Sequence, residues 1–410
     1  MITPAHPPIA ITGIGLVTPA GIGREATWER VCSGIPTAAR DPALTGLPVD
    51  LACRVPDFEP ARHLPGVTVR HLDRYSQFAL LAAREAVADA GLDPATWDGD
   101  RTAVVIGSAA GGVATLEHQH SRLLELGPAL VSPLTMPMFL PNMAAGYLAI
   151  DLNAHGPVVH TSTACASGAT AIAAAADLLR TGACDVVVSG GADAMITPLC
   201  AAAFHRLGAL SRRTDDPASA SRPFDADRDG FVLAEGAGVL VLEREADARR
   251  RAAAPYALLV GHGASSDAHH LVRPDRSGAG ITRALLTALA DADVRSEEVD
   301  HVNAHGTGTP LNDITEARVL ARVLGQRGAV TSTKGVTGHL MGAAGAVEAA
   351  LTALTLSHQL IPPTANLHRL QPGIAVDIVA RHARSTRLRF AVSTSLGFGG
   401  HNAALVLRAA

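Results

Sequence analysis

Val158 to Ala176, VVHTSTACASGATAIAAAA, is the stretch that decides the reading of this chain. It opens with a β-branched run, Val158, Val159, Thr161 and Thr163, and turns at Cys165 into an Ala/Gly/Ser-rich segment. That is the pattern of a strand that reaches a cysteine and continues as a helix. A cysteine at a helix N-terminus meets unpaired backbone N–H groups and the positive end of the helix dipole, and both favour thiolate over thiol. The same amides can hydrogen-bond an oxyanion once sulfur attacks a carbonyl. The small residues that follow let other elements approach closely, which places the helix at the centre of the molecule. An isolated free cysteine is more often an inert core residue, so the nucleophile needs support from the rest of the chain.

With 410 residues, 48% hydrophobic content and 18% charged, the chain can build a large core, as two domains or one duplicated domain. A net charge of −4 gives no reason to expect a nucleic-acid or membrane surface. The cysteines at 32, 53, 165, 184 and 200 are odd in number and irregularly spaced, which fits reduced thiols rather than a disulfide framework. They also lack the paired spacing of a zinc site. The start, MITPAHPP, has neither the basic nor the apolar region of a signal peptide. No apolar run reaches the roughly 18 to 20 residues of a membrane span. The expectation is a soluble cytoplasmic protein.

Along the chain, Ile9 to Gly15 reads as a strand entering a glycine turn, without the third glycine of a dinucleotide fingerprint, so no nucleotide is expected. Asp73 to Gly91 has helical apolar spacing and a glycine stop. Arg101 to Gly112 and the run DVVVSGGADA after Asp185 each read as a buried strand into a turn. This alternation argues for an α/β architecture with a largely buried sheet. Ser211 to Gly230 is polar and Pro/Asp-rich, a long surface excursion before a strand at Val239 to Leu242. Arg244 to Arg251 reads as a charged, solvated helix, and the chain divides near Ala254 and Pro255.

Beyond that boundary the pattern restarts. Thr161-Ser162-Thr163 before Cys165 recurs as Thr331-Ser332-Thr333 before Lys334, and each is followed by a Gly/Ala-rich stretch. Two similar halves, packed so that the two turns meet, are the reading. Most of the 18 histidines, His118, His120, His269 and His270 among them, read as surface or satisfied core. His305 and His339 differ, because each sits at the glycine-flanked end of an element, His305 closing a short strand and His339 opening a helix. Lys334 is the only lysine among 34 basic residues, and it lies in the segment that echoes the nucleophile. A compact ammonium can do what a planar guanidinium cannot.

TACASG around Cys165, NAHGTGTPLND around His305, STKGVTGHLMGAAGAVE around Lys334 and His339, and GFGGHN at 397–402 together resemble the signatures of the elongating β-ketoacyl-acyl carrier protein synthases. ITGIGLVTP and SRPFDADRDGFVLAEGAG match as well, so the resemblance runs through essentially the whole chain. It implies the thiolase fold: two pseudo-duplicated βαβαβ-type halves, 1–254 and 255–410, in a five-layered αβαβα sandwich, usually dimeric. It implies Cys165 as nucleophile, His305 and His339 as the histidines that stabilise an enolate, Lys334 as the buried lysine, and Glu348 as its carboxylate. The backbone N–H groups of Cys165 and Phe398 would form the oxyanion hole. Thr307 and Thr309 match residues of the pantetheine channel, and Ala110, Phe204, Phe231 and Phe398 match the acyl pocket and its gate. Arg70 matches part of the basic patch that receives the carrier protein.

The implied reaction is decarboxylative condensation of an acyl chain on Cys165 with malonyl-carrier protein, with no metal or nucleotide. Ala110, Leu396 and the segment Met136 to Pro141 depart from the fatty-acid pattern near the pocket and lean toward polyketide or polyene chains. Val67 and His71 stand where relatives carry lysines. A degradative thiolase would need a second catalytic cysteine in the C-terminal half, and an initiating synthase would carry Asn at the position of His339. A non-catalytic chain-length-determining subunit would lack Cys165. A homodimer and a heterodimer with such a chain-length-factor paralogue both fit.

Overall fold

A computed structural model describes residues 6–64, 69–325 and 327–410; Val67 lies outside them. The principal strands are β1 (Ile9–Thr18), β2 (Thr102–Gly107), β3 (Val158–Thr161), β4 (Val186–Ala194), β5 (Glu235–Arg244), β6 (Ala257–Ser266), β7 (His301–Asn303), β8 (Ala329–Thr331), β9 (Phe390–Gly397) and β10 (His401–Ala409). They form one continuous path, β8-β7-β9-β10-β6-β1-β5-β4-β2-β3. Numbered within each group of five, the order is 3-2-4-5-1 on both sides of the β6–β1 junction.

The pairing directions repeat too. β2 is parallel to β3 and β4, and β5 is antiparallel to β4 and β1. Likewise β7 is parallel to β8 and β9, and β10 is antiparallel to β9 and β6. The two groups join edge to edge, with Ile9 of β1 opposite Leu259 of β6.

The helices that build the layers are α1 (Arg74–Asp89), α2 (Val113–Leu126), α3 (Met143–Asp151), α4 (Ser167–Arg180), α5 (Pro198–Arg206), α6 (Ala279–Asp291), α7 (Pro310–Leu324) and α8 (Ala344–His358). Strand alternation assigns the faces: on β5, Leu240 and Leu242 enter the core shared by α4 and α8, while Val239 and Val241 enter the core under α1 and α3. A third core packs α6 and α7 against β9 and β10 through Leu285, Leu320, Val392 and Val406. The layers are therefore helix, sheet, central helix pair, sheet, helix.

The helix expected from Asp73 forms as α1, capped by the Asp73 carboxylate, which accepts the N–H of Tyr75 at 3.2 Å. Other expectations are corrected. Gly13 and Gly15 lie inside β1 rather than in a turn; a Cβ on them would meet the Ala86 and Ala82 carbonyl oxygens at 2.0 and 1.8 Å, so they exist to seat α1. Gly190 and Gly191 are likewise interior to β4. The excursion at 211–230 is also not on the surface throughout. Phe224 and Asp225 are fully buried, and the Asp225 carboxylate accepts the N–H groups of His368 and Arg369 at 2.8 and 2.9 Å. Its buried charges are matched, Arg222 to Asp225 and Arg228 to Asp313, both at 3.3 Å.

The central pair meets with almost no side chain between. A Cβ on Gly168 of α4 would lie 2.7 Å from the Ala346 nitrogen of α8, and one on Gly345 would lie 2.8 Å from the Ala169 nitrogen. Gly168→Ala is expected to lower stability by up to about 2 kcal/mol in urea denaturation, because overpacking of about 1–3 kcal/mol is offset by a helix-propensity gain of about 1 kcal/mol.

Candidate active site

β3 delivers Cys165 through a strained turn. Ala164 adopts φ +50°, in the left-handed region, and helix α4 begins at Ser167 with Ala166 as its N-cap. The cysteine thus stands two residues before the helix rather than in its first turn. The Ser167 hydroxyl accepts the Thr163 N–H at 2.9 Å and donates to the Ala164 carbonyl at 2.6 Å, which fixes the bend. Cys165 is 5% exposed, and the backbone N–H groups of Phe398 and of Cys165 itself face its sulfur. Burial pushes this thiol up to about 12, against the opposing pull of the Lys334 charge and those N–H groups. The expected bias toward thiolate is therefore overridden by desolvation, and the resting group is a thiol.

The second half supplies the rest. Thr331, the last residue of β8, is the topological counterpart of Thr161, the last residue of β3, so the two TST triplets leave equivalent strand ends. Lys334 follows its triplet in a short helical turn, Lys334–Thr337, and is completely buried. Its Nζ contacts the Glu348 carboxylate and lies 3.4 Å from Nδ1 of His305. An ammonium can only donate, so Nδ1 accepts and the His305 proton sits on Nε2. Burial pushes the Glu348 carboxyl up to about 7, opposed by Lys334.

His305 lies two residues beyond β7 rather than at its end. Its backbone N–H donates to the buried Glu316 carboxylate at 2.8 Å, as does that of Gly306. His339 lies five residues before α8 rather than at its start, and is held by a bridge to the 232–234 segment: its N–H donates to the Val232 carbonyl at 2.8 Å and its carbonyl accepts from Ala234 at 3.0 Å. The two imidazoles meet edge to face with centroids 5.3 Å apart. Burial first, then the Lys334 charge, holds both well below the usual histidine range, so both are neutral near pH 7.

Cys165, His305 and His339 line one cavity of about 330 Å³, with Thr307, Thr309, Phe231, Leu396 and Phe398 also in its wall. Phe204 stands behind that wall, its ring 5.5 Å from Phe231 and 6.4 Å from Phe398. Ala110 does not reach the cavity; its N–H points toward Asp193 at 3.4 Å. Arg70 is exposed in the turn Val69–His71 and also lies off the cavity wall. Among the described residues, no cluster of three His, Cys, Asp or Glu side chains could hold a metal, and no helix is long and apolar enough to cross a membrane.

Three carboxylates that hold the site in place escaped the sequence reading. Glu316 also accepts from the Thr394 hydroxyl at 2.7 Å. Asp313, one turn earlier on α7, accepts from Gly308 at 3.2 Å and Phe224 at 2.8 Å, fixing a turn in which Gly308 has φ +81°. Asp193, next to last in β4, gathers the Ser108 hydroxyl at 2.7 Å with the N–H groups of Ala109 and Gly342 at 2.9 and 2.6 Å. The three-residue spacing of Asp313 and Glu316 behind HGTGT was the available signal.

The sequence matches "Beta-ketoacyl synthase, N-terminal domain" over residues 6–248 and "Beta-ketoacyl synthase, C-terminal domain" over residues 256–368. This chain belongs to the β-ketoacyl synthase family. Two relatives, each named 3-oxoacyl-[acyl-carrier-protein] synthase 2, show how far the likeness extends. The one from Synechocystis sp. is 41% identical across 98% of this β-ketoacyl synthase and 97% of its own length. The one from Staphylococcus aureus is 40% identical across 98% of each. Among solved structures, the ishigamide ketosynthase/chain length factor superimposes with a TM-score of 0.93 at 34% identity, covering 99% of this synthase and 100% of that chain. A type II polyketide ketosynthase, solved with its acyl-carrier protein and bound to the hexaketide, gives 0.90 at 31%, covering 99% and 100%. The layered architecture is thus the thiolase fold of β-ketoacyl synthases.

The neutral histidines carry a pH dependence. His301 is also buried and is pushed down to about 4, with Nδ1 against the Ala329 carbonyl. Unfolded histidines take up protons near pH 6.5 and the folded ones do not, so stability is full above about 6.5 and is lost as pH falls. Each of His301, His305 and His339 is expected to contribute a slope of about 1.4 kcal/mol per pH unit below 6.5, read as urea midpoints between pH 7 and 5.

Proposed function

We propose that this synthase elongates a carrier-bound acyl chain by two carbons through decarboxylative Claisen condensation. The observation that carries the reading is the convergence of Cys165, two backbone N–H donors, and the neutral His305 and His339 on one cavity. The Cys165 thiol gives up its proton as sulfur attacks the acyl thioester, the oxyanion is held by the N–H groups of Cys165 and Phe398, and the carrier thiol leaves with a proton. Malonyl-carrier protein then places its thioester oxygen against the histidines. As the C–C bond to the carboxylate breaks and CO₂ departs, charge moves onto that oxygen and His305 Nε2–H and His339 stabilise it. The carbanion attacks acyl-Cys165, the sulfur leaves as a thiolate that takes a proton from solvent, and a β-ketoacyl thioester results. Lys334 and Glu348 hold the His305 tautomer.

The division into halves at 254/255, with the nucleophile in the first and the histidines and lysine in the second, belongs to the same proposal. So do work in the cytoplasm without metal or nucleotide, and approach of the carrier protein over exposed Arg70. Among the described residues β3 ends the sheet path, and Val158 on it, Ile150 on α3, and Met136 and Leu140 in the segment before α3 are exposed. A second ketosynthase-like subunit, identical or a chain-length-factor paralogue, would cover that face. The test is intact-mass spectrometry after incubation with acyl-carrier proteins of varied chain, followed by malonyl-carrier protein. An acyl adduct, then a product two carbons longer, is the expected result; no adduct from any donor, with or without a partner subunit, refutes the reading.

A further inference from the structure

Arg273 lies between β6 and α6, is exposed, and lines the cavity that holds Cys165. Among the described residues, the one side chain within hydrogen-bond distance of its guanidinium is His270, whose Nε2 lies 3.3 Å away. That contact is not a hydrogen bond. Nδ1 of His270 accepts the backbone N–H groups of Val272 and Arg273, at 3.0 and 3.2 Å, so Nδ1 carries no proton and the neutral ring carries it on Nε2. A guanidinium has donors only. Two donors, the Arg273 guanidinium in the cavity wall and the His270 ring beside it, therefore meet without an acceptor between them.

Asp267, the carboxylate of the cavity wall, does not serve as that acceptor. One of its oxygens accepts from the Asp275 N–H at 3.0 Å and the other from Asn402 Nδ2 at 2.8 Å. The segment is also tied to the turn that presents Phe398: the Leu271 carbonyl accepts from Gly399 at 2.7 Å, and the Asp267 N–H donates to the Gly400 carbonyl at 2.8 Å. A group bound at Arg273 is thereby placed in register with the Phe398 N–H that faces the Cys165 sulfur.

We propose that Arg273, with the Nε2–H of His270, binds the phosphodiester of the substrate's phosphopantetheine arm and so sets how far the thioester enters. This rests on the condensing-enzyme reading above. The malonyl carboxylate is the other anion the substrates bring. It is joined to the carbon beside the thioester carbonyl, and so belongs with His305 and His339, which are 3% and 2% exposed. The phosphodiester is at the opposite end of the arm, where the exposed guanidinium is.

The experiment follows the rate of Cys165 acylation by intact mass, using acyl-phosphopantetheine and acyl-pantetheine, which differ only in the phosphate and contain no carboxylate. Wild-type protein should favour the phosphorylated donor in kcat/KM by about tenfold, the scale of one exposed charge-assisted contact. Arg273→Ala should remove that preference through the phosphorylated donor alone, and Arg273→Lys should keep part of it. Wild-type protein that is acylated but does not discriminate overturns the assignment alone. So does an equal loss on both donors, no loss on either, or a loss confined to the malonyl step. Wild-type protein acylated by neither donor nor any carrier protein overturns the condensing-enzyme reading, and this assignment with it.

Discussion

Cys165→Ala is expected to leave no acyl adduct and to lower condensation by about 10⁵- to 10⁶-fold, the scale on which loss of a covalent nucleophile acts. The side chain is small and its turn is fixed by Ser167 and the Ala164 backbone, so the fold should persist. The variant separates the two halves of the chemistry. His305 and His339 are untouched, and CO₂ loss from malonyl-carrier protein needs only an oxygen held between them, so decarboxylation should survive while carbon–carbon bond formation stops. Adduct mass and CO₂ release, measured on one sample, read both. An adduct of unchanged yield would move the nucleophile to another cysteine.

Lys334→Met should be nearly as damaging, and for two separable reasons. It leaves the Glu348 carboxylate buried without its cation, which costs about 3–5 kcal/mol, and it removes the donor that keeps the His305 proton on Nε2, which should slow condensation by about 10²- to 10⁴-fold. Adding Glu348→Gln tests the separation. With both partners neutral, most of the stability should return in urea denaturation, because a buried ion pair adds little over a neutral pair of similar volume. The rate should not return, because His305 still lacks its donor. Joint recovery of stability and rate would show that Lys334 acts only on folding.

Which residues would meet was more legible in the sequence than how they meet. Cys165, His305 and His339 stand in glycine-bounded motifs and the structure brings them to one cavity, with Lys334 beside His305. The TST repeat likewise foreshadowed two equivalent strand ends. What failed was whatever depended on distant neighbours. Gly13 and Gly15 read as a turn because their real partner, the backbone of α1, lies some seventy residues on. Asp225 and Arg228 read as surface because polarity signals exposure unless the partners are known, Arg222 with the His368 and Arg369 N–H groups for the first and Asp313 for the second. The Cys165 thiol was misjudged for the same reason: a helix dipole can be read along the chain, whereas desolvation comes from elements far away in sequence.

The crossing of α4 and α8 bears on how such a protein diverges. Gly168 follows Cys165 by three residues and Gly345 precedes Glu348 by three, and at both glycines main chain lies against main chain. The spacing between the nucleophile's turn and the helix bearing Glu348 is set by backbone thickness rather than by any replaceable side chain. Phe231 and Leu396, which line the cavity, and Phe204 behind them lie outside that crossing, where side chains rather than main chain set the spacing. Under the proposed condensation, reaction and selectivity would occupy separately mutable parts of the chain, and a lineage would exchange one acyl substrate for another with the bond-forming step left where it is.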